Sequence, residues 1–233
     1  MLHLQRNGDF MKEYIPILSK TKLFLNMPEE DIIAMLGCLQ ARKKSFKKGE
    51  YVLRQGEHIN DITVLVEGHL HVQRDDYWGN RSIISTLGVG EIFGEAYVGP
   101  DSGVLLNDVV AVEDSVVIFF DVFRLINVCS SACRFHSMVV QNLFLAISEK
   151  NRQLLQKLGH MSKRSIREKL ISYLSEEAKQ QKSGTIILPF NRQQLADFLS
   201  VDRSAMSSEL GKMRGEGLIV FEKNKFTLLM KNE

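Results

Sequence analysis

The residues best suited to chemistry lie in 191–217, where two predicted helices flank a short polar break. The second helix begins at Arg203, and its apolar residues Met206, Leu210 and Met213 recur at i, i+4 and i+7. Its other face is small or polar and carries Arg203, Ser204, Ser207, Ser208, Glu209 and Lys212. A helix buried on one side and lined with Arg and Ser on the other can lie in a DNA major groove.

The surroundings of this helix strengthen that interpretation. The preceding helix is predicted over 192–199, and Asp202 is placed to cap the free N–H groups of the second helix. Apolar runs at 217–221 and 225–229 then predict two strands around a polar turn. A helix pair followed by a hairpin is a winged-helix arrangement, so the sequence predicts DNA binding.

Charge and composition favour the same class. The whole chain of 233 residues has a net charge of only +2, but residues 159–233 carry 13 Lys and Arg against 9 Asp and Glu. Residues 1–158 carry 17 against 19, so the positive excess lies with the helix pair, as phosphate contacts require. Three cysteines do not make a disulfide framework, and we find neither a membrane-spanning run nor a signal peptide. We therefore expect a cytoplasmic protein with no membrane partner.

The region 42–121 has a different character, with short β-rich runs separated by glycines. Such regular spacing of strands predicts a sandwich or barrel. It follows a region of predicted helix at 14–40, in which Pro28 opens a helix. The predicted strands are 51–53, 62–66, 70–72, 82–85, 109–112 and 116–120.

A long helix is predicted over 131–158, where Gly and Pro are absent. Along one face, five apolar residues and Asn151 recur at spacings of 4, 3, 4, 3 and 4, which is a heptad seam typical of a dimer. Asn151 occupies a position where a polar residue can fix the register of the two helices. We expect Met138, Val139, Leu143 and Leu145 to face the barrel, Gly159 to end the helix, and Ser162 to cap the next. The predicted domains are thus 1–130, 131–158 and 159–233. The seam consists of Val140, Phe144, Ile147, Asn151, Leu154 and Leu158.

The order of barrel, long helix and winged helix resembles the Crp/Fnr family of bacterial transcription regulators, over nearly the whole chain. Residues 46–50, 54–57, 65–68 and 90–95 resemble a cyclic-nucleotide-binding jelly roll, and 192–203 resembles its DNA-binding helices. The resemblance implies an α+β fold: an N-terminal double-stranded β-helix (jelly roll) sensor domain, a long dimerisation helix and a C-terminal winged helix-turn-helix. It also implies a homodimer that binds double-stranded DNA and works with RNA polymerase, and not an enzyme.

The resemblance also assigns roles at the DNA. Arg203, Ser204 and Ser208 match base-reading positions, and Ser207 shares their face. The Arg203 guanidinium could donate two hydrogen bonds to the edge of a guanine. Ser204 and Ser208 differ from the residues of the best-known family members, so we expect a different operator. Arg192 and Gln193 match positions that contact phosphate.

The predicted effector pocket departs from the family. Gly94 and Glu95 match positions that meet the ribose in the catabolite-activator branch, but Leu105 and Leu106 stand where an Arg-Ser pair would hold the phosphate. An anion there would lack charge-assisted donors, so we predict weak or no cyclic AMP binding. Either an apolar ligand binds in a pocket lined by Phe93, Leu105 and Leu106, or these side chains fill it and the regulator is constitutive. Lys150 and Asn151 lie where the family's long helix meets the purine.

A metal site and a redox pair are the alternative interpretations. Cys129, Cys133 and His136 have a spacing that could place them on one helix face, but three scattered ligands are fewer than a structural zinc site uses. Residues 1–37 contain no cysteine and Cys38 stands alone, so we expect no iron–sulfur cluster and no other cofactor. A cupin-like metalloenzyme is the remote alternative, with ligands at Glu67, His69 and His71.

Overall fold

The computed structural model describes residues 11–75, 77–78, 81–98, 104–127 and 134–229. By contacts between residues, the chain divides into two compact units, Met1–Ser148 and Glu149–Glu233. The division falls inside the long helix.

The first unit contains two four-stranded antiparallel sheets with the orders β1-β8-β3-β6 and β2-β7-β4-β5, the arrangement of a jelly roll. The predicted fold class is confirmed. All six predicted strands are present, and β1 and β6 are additional. The strands are β1 (Arg42–Phe46), β2 (Tyr51–Leu53), β3 (Asp61–Glu67), β4 (Leu70–Asp75), β5 (Arg81–Leu87), β6 (Ile92–Phe93), β7 (Asp108–Ala111) and β8 (Ser115–Asp121).

Strand β8 shows how the sequence builds the two cores of this unit. Because successive side chains of a strand point to opposite faces, Val117 and Phe119 enter one core while Ile118 and Phe120 enter the other. The first core fills the barrel and includes Leu65 and Leu70 from the neighbouring strands, among other residues. The second lies between the sheet and the helices.

Several short helices cover the second core. They include 3₁₀ turns at Lys12–Tyr14 and Lys22–Phe24, with α1 (Ile15–Leu18), α2 (Glu29–Cys38) and α3 (Val122–Ile126). Pro28 is the residue before α2, whose first turn is acidic, in favourable interaction with the helix dipole. The predicted helical region 14–40 is thus broken into pieces.

The long helix α4 spans Arg134–Met161. Its buried residues Val139 and Ala146 pack into the second core, with Met138 and Leu143 beside them as expected. Two expectations are wrong. Leu145 is 63% exposed rather than packed, since Leu143 and Ala146 already occupy the packed face. Gly159 does not end the helix, which runs on to Met161, because a single glycine is tolerated inside a helix.

The second unit is a winged helix. It contains α5 (Ile166–Gln180), α6 (Arg192–Leu199) and α7 (Arg203–Gly215), with a sheet ordered β10-β11-β9. Ser165, not Ser162, caps α5, because only Ser165 has a glutamate three residues on to complete a capping box. The strands are β9 (Thr185–Ile187), which was not predicted, β10 (Ile219–Glu222) and β11 (Lys225–Leu228). In the part of the chain described, no helix is long and apolar enough to cross a membrane.

Candidate nucleic-acid interface and sensor pocket

Helix α7 is divided into a buried and an exposed face, as predicted. Met206, Leu210 and Met213 are at most 1% exposed and enter the core of the second unit. The Asp202 carboxylate accepts a hydrogen bond from the Ala205 N–H at 2.7 Å, so its predicted capping role is confirmed. The exposed face, which is free to meet a ligand, carries Arg203, Ser204, Ser207 and Ser208.

The serines of that face differ in their hydrogen bonding. The Ser207 hydroxyl donates to the Arg203 carbonyl at 2.8 Å, one turn earlier in the helix. In that rotamer Ser207 has only acceptor capacity left toward a base. An acceptor suits the exocyclic amino groups of cytosine or adenine.

The turn between α6 and α7 is held by the neighbouring helix α5. Ser200 adopts the left-handed conformation at φ +50°, and the Lys169 ammonium donates to the carbonyls of Leu199 and Ser200 at 3.1 and 3.4 Å. These carbonyls end α6 and would otherwise lack helical partners. Sequence reasoning missed Lys169, because its spacing from the turn, about thirty residues, gives no local signal.

A second missed residue, Arg167, ties α5 to α7. Its guanidinium donates to Glu209 at 2.5 Å and forms two bonds to Glu216 at 2.6 and 2.7 Å. These partners raise the Arg167 pKa, with the hydrogen bonds to Glu216 as the first cause. Helix α7 is therefore anchored along its length rather than at its cap alone.

Arg192, predicted to contact phosphate, packs on the wing. Its guanidinium carbon lies 4.7 Å from the Phe221 ring centre and 4.8 Å from that of Phe226, and Arg214 lies 5.1 Å from Phe221. Burial lowers the Arg192 pKa, although the group stays charged. Gln193 donates to Asp197 at 2.8 Å. The phosphate roles of Arg192 and Gln193 stay predictions, but Arg192 already has a structural one.

The start of the predicted effector pocket is sterically tight. Gly94 has φ +85°, and a Cβ there would lie 2.9 Å from the Ile59 side chain, so this turn requires glycine. Phe93 is buried in the barrel core and Glu95 opens a 3₁₀ turn ending at Tyr97. The glycine thus has a backbone role that needs no ligand.

The two leucines at the predicted phosphate position have opposite environments. Leu105 is 2% exposed and packs in the barrel core, whereas Leu106 is 51% exposed. The Leu105 backbone is fixed on both sides, since its N–H donates to the Glu57 carbonyl at 2.9 Å and its carbonyl accepts from Gly56 at 2.8 Å. An apolar side chain is thus held inside the barrel at this position.

The long helix carries an exposed apolar stripe. Phe144, Leu154 and Leu158 are 68%, 65% and 62% exposed, and Val140 and Ile147 are about 40% exposed. Asn151 is also exposed and belongs, with Lys150, to the second unit.

The described residues include several of the candidate metal ligands. Within them, no group of three His, Cys, Asp or Glu side chains is placed to hold a metal ion. His69 instead pairs with Glu113 at 2.5 Å, and Glu67 accepts from the Tyr14 hydroxyl at 2.9 Å. His136 is buried, while Cys129 and Cys133 lie outside the described residues.

Comparisons with known proteins agree with this architecture. The family model of the cyclic nucleotide-binding domain matches residues 43–132, and that of the Crp-like helix-turn-helix domain matches residues 168–232. Among curated proteins, cGMP-dependent protein kinase 2 of Mus musculus is 32% identical over 85 residues, which are 36% of this chain and 11% of the kinase. The human kinase is 31% identical over 85 residues. The similarity thus covers only a small part of these kinases.

Three solved structures share the fold. The catabolite activator protein of Thermus thermophilus has a TM-score of 0.51 at 19% identity, covering 90% of this chain and 94% of that one. OCPA-complexed CprK scores 0.61 at 17%, covering 82% and 88%. The c-di-GMP-responsive regulator CLP of Xanthomonas campestris scores 0.56 at 14%, covering 88% and 100%. With its two matched domains in this order around a long helix, the chain belongs to the Crp/Fnr family and is a Crp-like DNA-binding regulator with a cyclic nucleotide-binding-type domain.

Proposed function

We propose that this regulator is a homodimer that reads its operator through the exposed face of α7 and responds to an effector other than cyclic AMP. The observation that carries the DNA-reading part is the separation of α7 into a buried Met206–Met213 stripe and an exposed Arg203–Ser208 face. Arg203 at the start of the helix can donate two hydrogen bonds to a guanine, and the serines of the same face can contact neighbouring bases.

Substitution of two arginines tests these roles. Arg203→Ala should relax base preference at one operator position, at a cost of about 1–3 kcal/mol for the preferred base. Arg192→Ala should weaken binding to all sequences similarly and reduce the salt slope by about one. The readout is fluorescence anisotropy with operator variants across a salt series. Similar behaviour of the two variants would contradict the assignment.

The dimer is supported by the exposed stripe of α4. Full burial of an exposed Val, Ile, Leu or Phe side chain contributes about 1.5–3 kcal/mol, so a seam with five such side chains on each helix can hold two copies together. Ile147→Glu with Leu154→Glu should yield monomers by light scattering. Gln153→Glu with Gln156→Glu adds the same charge on the face of the helix away from the seam and should stay dimeric. A dimeric Ile147/Leu154 variant would refute the seam.

The effector proposal rests on Leu105. A buried leucine held by backbone bonds stands where an arginine would be needed, so a cyclic phosphate would lose its charge-assisted partner. The same burial favours a second candidate, a constitutive regulator whose barrel is a scaffold. The regulator's partner in transcription would be RNA polymerase in either case.

Binding to the DNA upstream of its own gene separates the two candidates. The DNA is titrated with ligand-free protein in a salt series, and cyclic AMP, cyclic GMP and c-di-GMP are then added. Cyclic GMP and c-di-GMP are included because the similar proteins comprise a cGMP-dependent kinase and a c-di-GMP-responsive regulator. Tight, selective binding without additives favours the constitutive candidate. Weak, strongly salt-dependent binding that a small molecule restores favours an effector, and restoration by cyclic AMP would refute our proposal.

A further inference from the structure

The last turn of α4 is attached to helix α5 through a buried histidine. His160 is 7% exposed, and its Nδ1 lies 2.8 Å from the Ser172 hydroxyl on α5. Its ring meets Tyr173 edge to face, with 5.6 Å between the ring centres. Tyr173 in turn packs against Phe198 and Phe190, so the histidine lies at one end of an aromatic cluster.

Two neighbours of His160 extend this contact to the helix-turn-helix. The Met161 sulfur lies 3.9 Å from the Ser200 hydroxyl, in the turn that precedes α7. The Lys157 ammonium lies 5.4 Å from the Phe198 ring centre on α6. The position of this last turn is therefore linked to the segment that orients the recognition helix.

We propose that His160 is a protonation-controlled latch, which in its neutral form fixes the last turn of α4 to α5 and the helix-turn-helix, and which on protonation releases this turn and weakens DNA binding. A charged imidazolium is disfavoured among apolar rings, and the ring regains water only when the turn detaches. Release would remove Met161 from the turn at Ser200.

The charges around the ring decide the direction of the response. Burial lowers the His160 pKa as the first cause, Lys163 lowers it further, and Glu176 and Glu177 on α5 act in the opposite direction. Lys157 adds a positive charge on α4's own last turns, and burial keeps the Tyr173 hydroxyl neutral by raising its pKa. The latch is therefore fully closed above pH about 6.5 and weakens as the pH falls toward the lowered value.

The predicted change of DNA affinity with pH has an unusual sign, which makes the test specific. Acidification normally adds positive charge and favours DNA binding, whereas release of the latch opposes it. His160 is the only histidine in residues 149–233, so no other imidazole titrates in this unit. The loss of affinity is at most about tenfold for each pH unit that separates the free and closed midpoints.

The experiment measures operator affinity at constant salt between pH 5.5 and 8, with the full-length protein. The control is His160→Asn, whose amide can occupy the Nδ1 position opposite Ser172 but does not titrate. We expect wild type to lose affinity at low pH and His160→Asn to lack that loss, with the wild-type His160 midpoint below 6.5 by NMR. Identical pH profiles, or a midpoint at or above 6.5, would overturn the latch. Affinity at pH 8 reports separately on DNA binding itself.

Discussion

Substitution of Leu105 tests whether the barrel is filled at the position where a phosphate would be held. Leu105 is 2% exposed and packs among the apolar residues of the barrel core. Its two backbone hydrogen bonds, to Glu57 and from Gly56, do not involve the side chain and persist in an alanine variant. Leu105→Ala therefore removes packing alone.

The expected magnitude follows from that burial. Truncation of a fully packed leucine to alanine costs about 3 kcal/mol, which is the lost transfer free energy plus that of the cavity left behind. In a unit of this size such a loss lowers the unfolding midpoint by about 10 °C. Leu106→Ala, at a side chain that is 51% exposed, should change stability by less than about 0.5 kcal/mol.

Differential scanning calorimetry is the appropriate assay, because the chain has two compact units and a single unfolding midpoint would mix them. Leu105→Ala should lower the midpoint of the first unit while that of the second stays unchanged. If Leu105→Ala and Leu106→Ala have equally small effects, Leu105 lines an open pocket and the argument for a filled barrel fails.

Two further predictions concern left-handed backbone positions. Ser200→Gly should stabilise the second unit by about 0.5–1 kcal/mol in thermal unfolding, because φ +50° costs serine more than glycine; a loss of stability would show that the Ser200 side chain matters more than its backbone. Gly94→Ala should destabilise the first unit by about 1–3 kcal/mol, because φ +85° is strained for alanine and its Cβ would lie 2.9 Å from Ile59; an unchanged midpoint would mean that this turn relaxes freely.

The sequence predicted the strands that are marked by an apolar run, and missed strand β1, which has none. Strand β8 is buried along nearly its whole length, because both of its faces meet a core, and its apolar run was found, as was that of β3. Strand β1 reads Arg-Lys-Lys-Ser-Phe and is exposed along most of its length, so no apolar pattern marks it. Tertiary pairing with β8, rather than local propensity, places it in the sheet.

At the candidate DNA site, the sequence predicted which face of α7 is exposed, because Met206, Leu210 and Met213 define the buried stripe. It could not predict the supports of that helix. Arg167 reaches Glu209 and Glu216 across more than forty residues, and such contacts follow from the fold rather than from spacing.

Three arginines of the second unit illustrate why residue type alone does not assign a role at the DNA. Arg203 lies exposed at the start of α7, beside the cap at Asp202, and can turn to a base edge at little cost. Arg192 is half-buried over Phe221 and Phe226. A phosphate contact must therefore be made by the edge of its guanidinium group that the two rings do not cover. Arg167 is already bonded to two carboxylates, and recruiting it to DNA would break both ion pairs. We therefore propose Arg203 for base readout, because it alone of the three can change partner without disturbing the support of the helix that presents it.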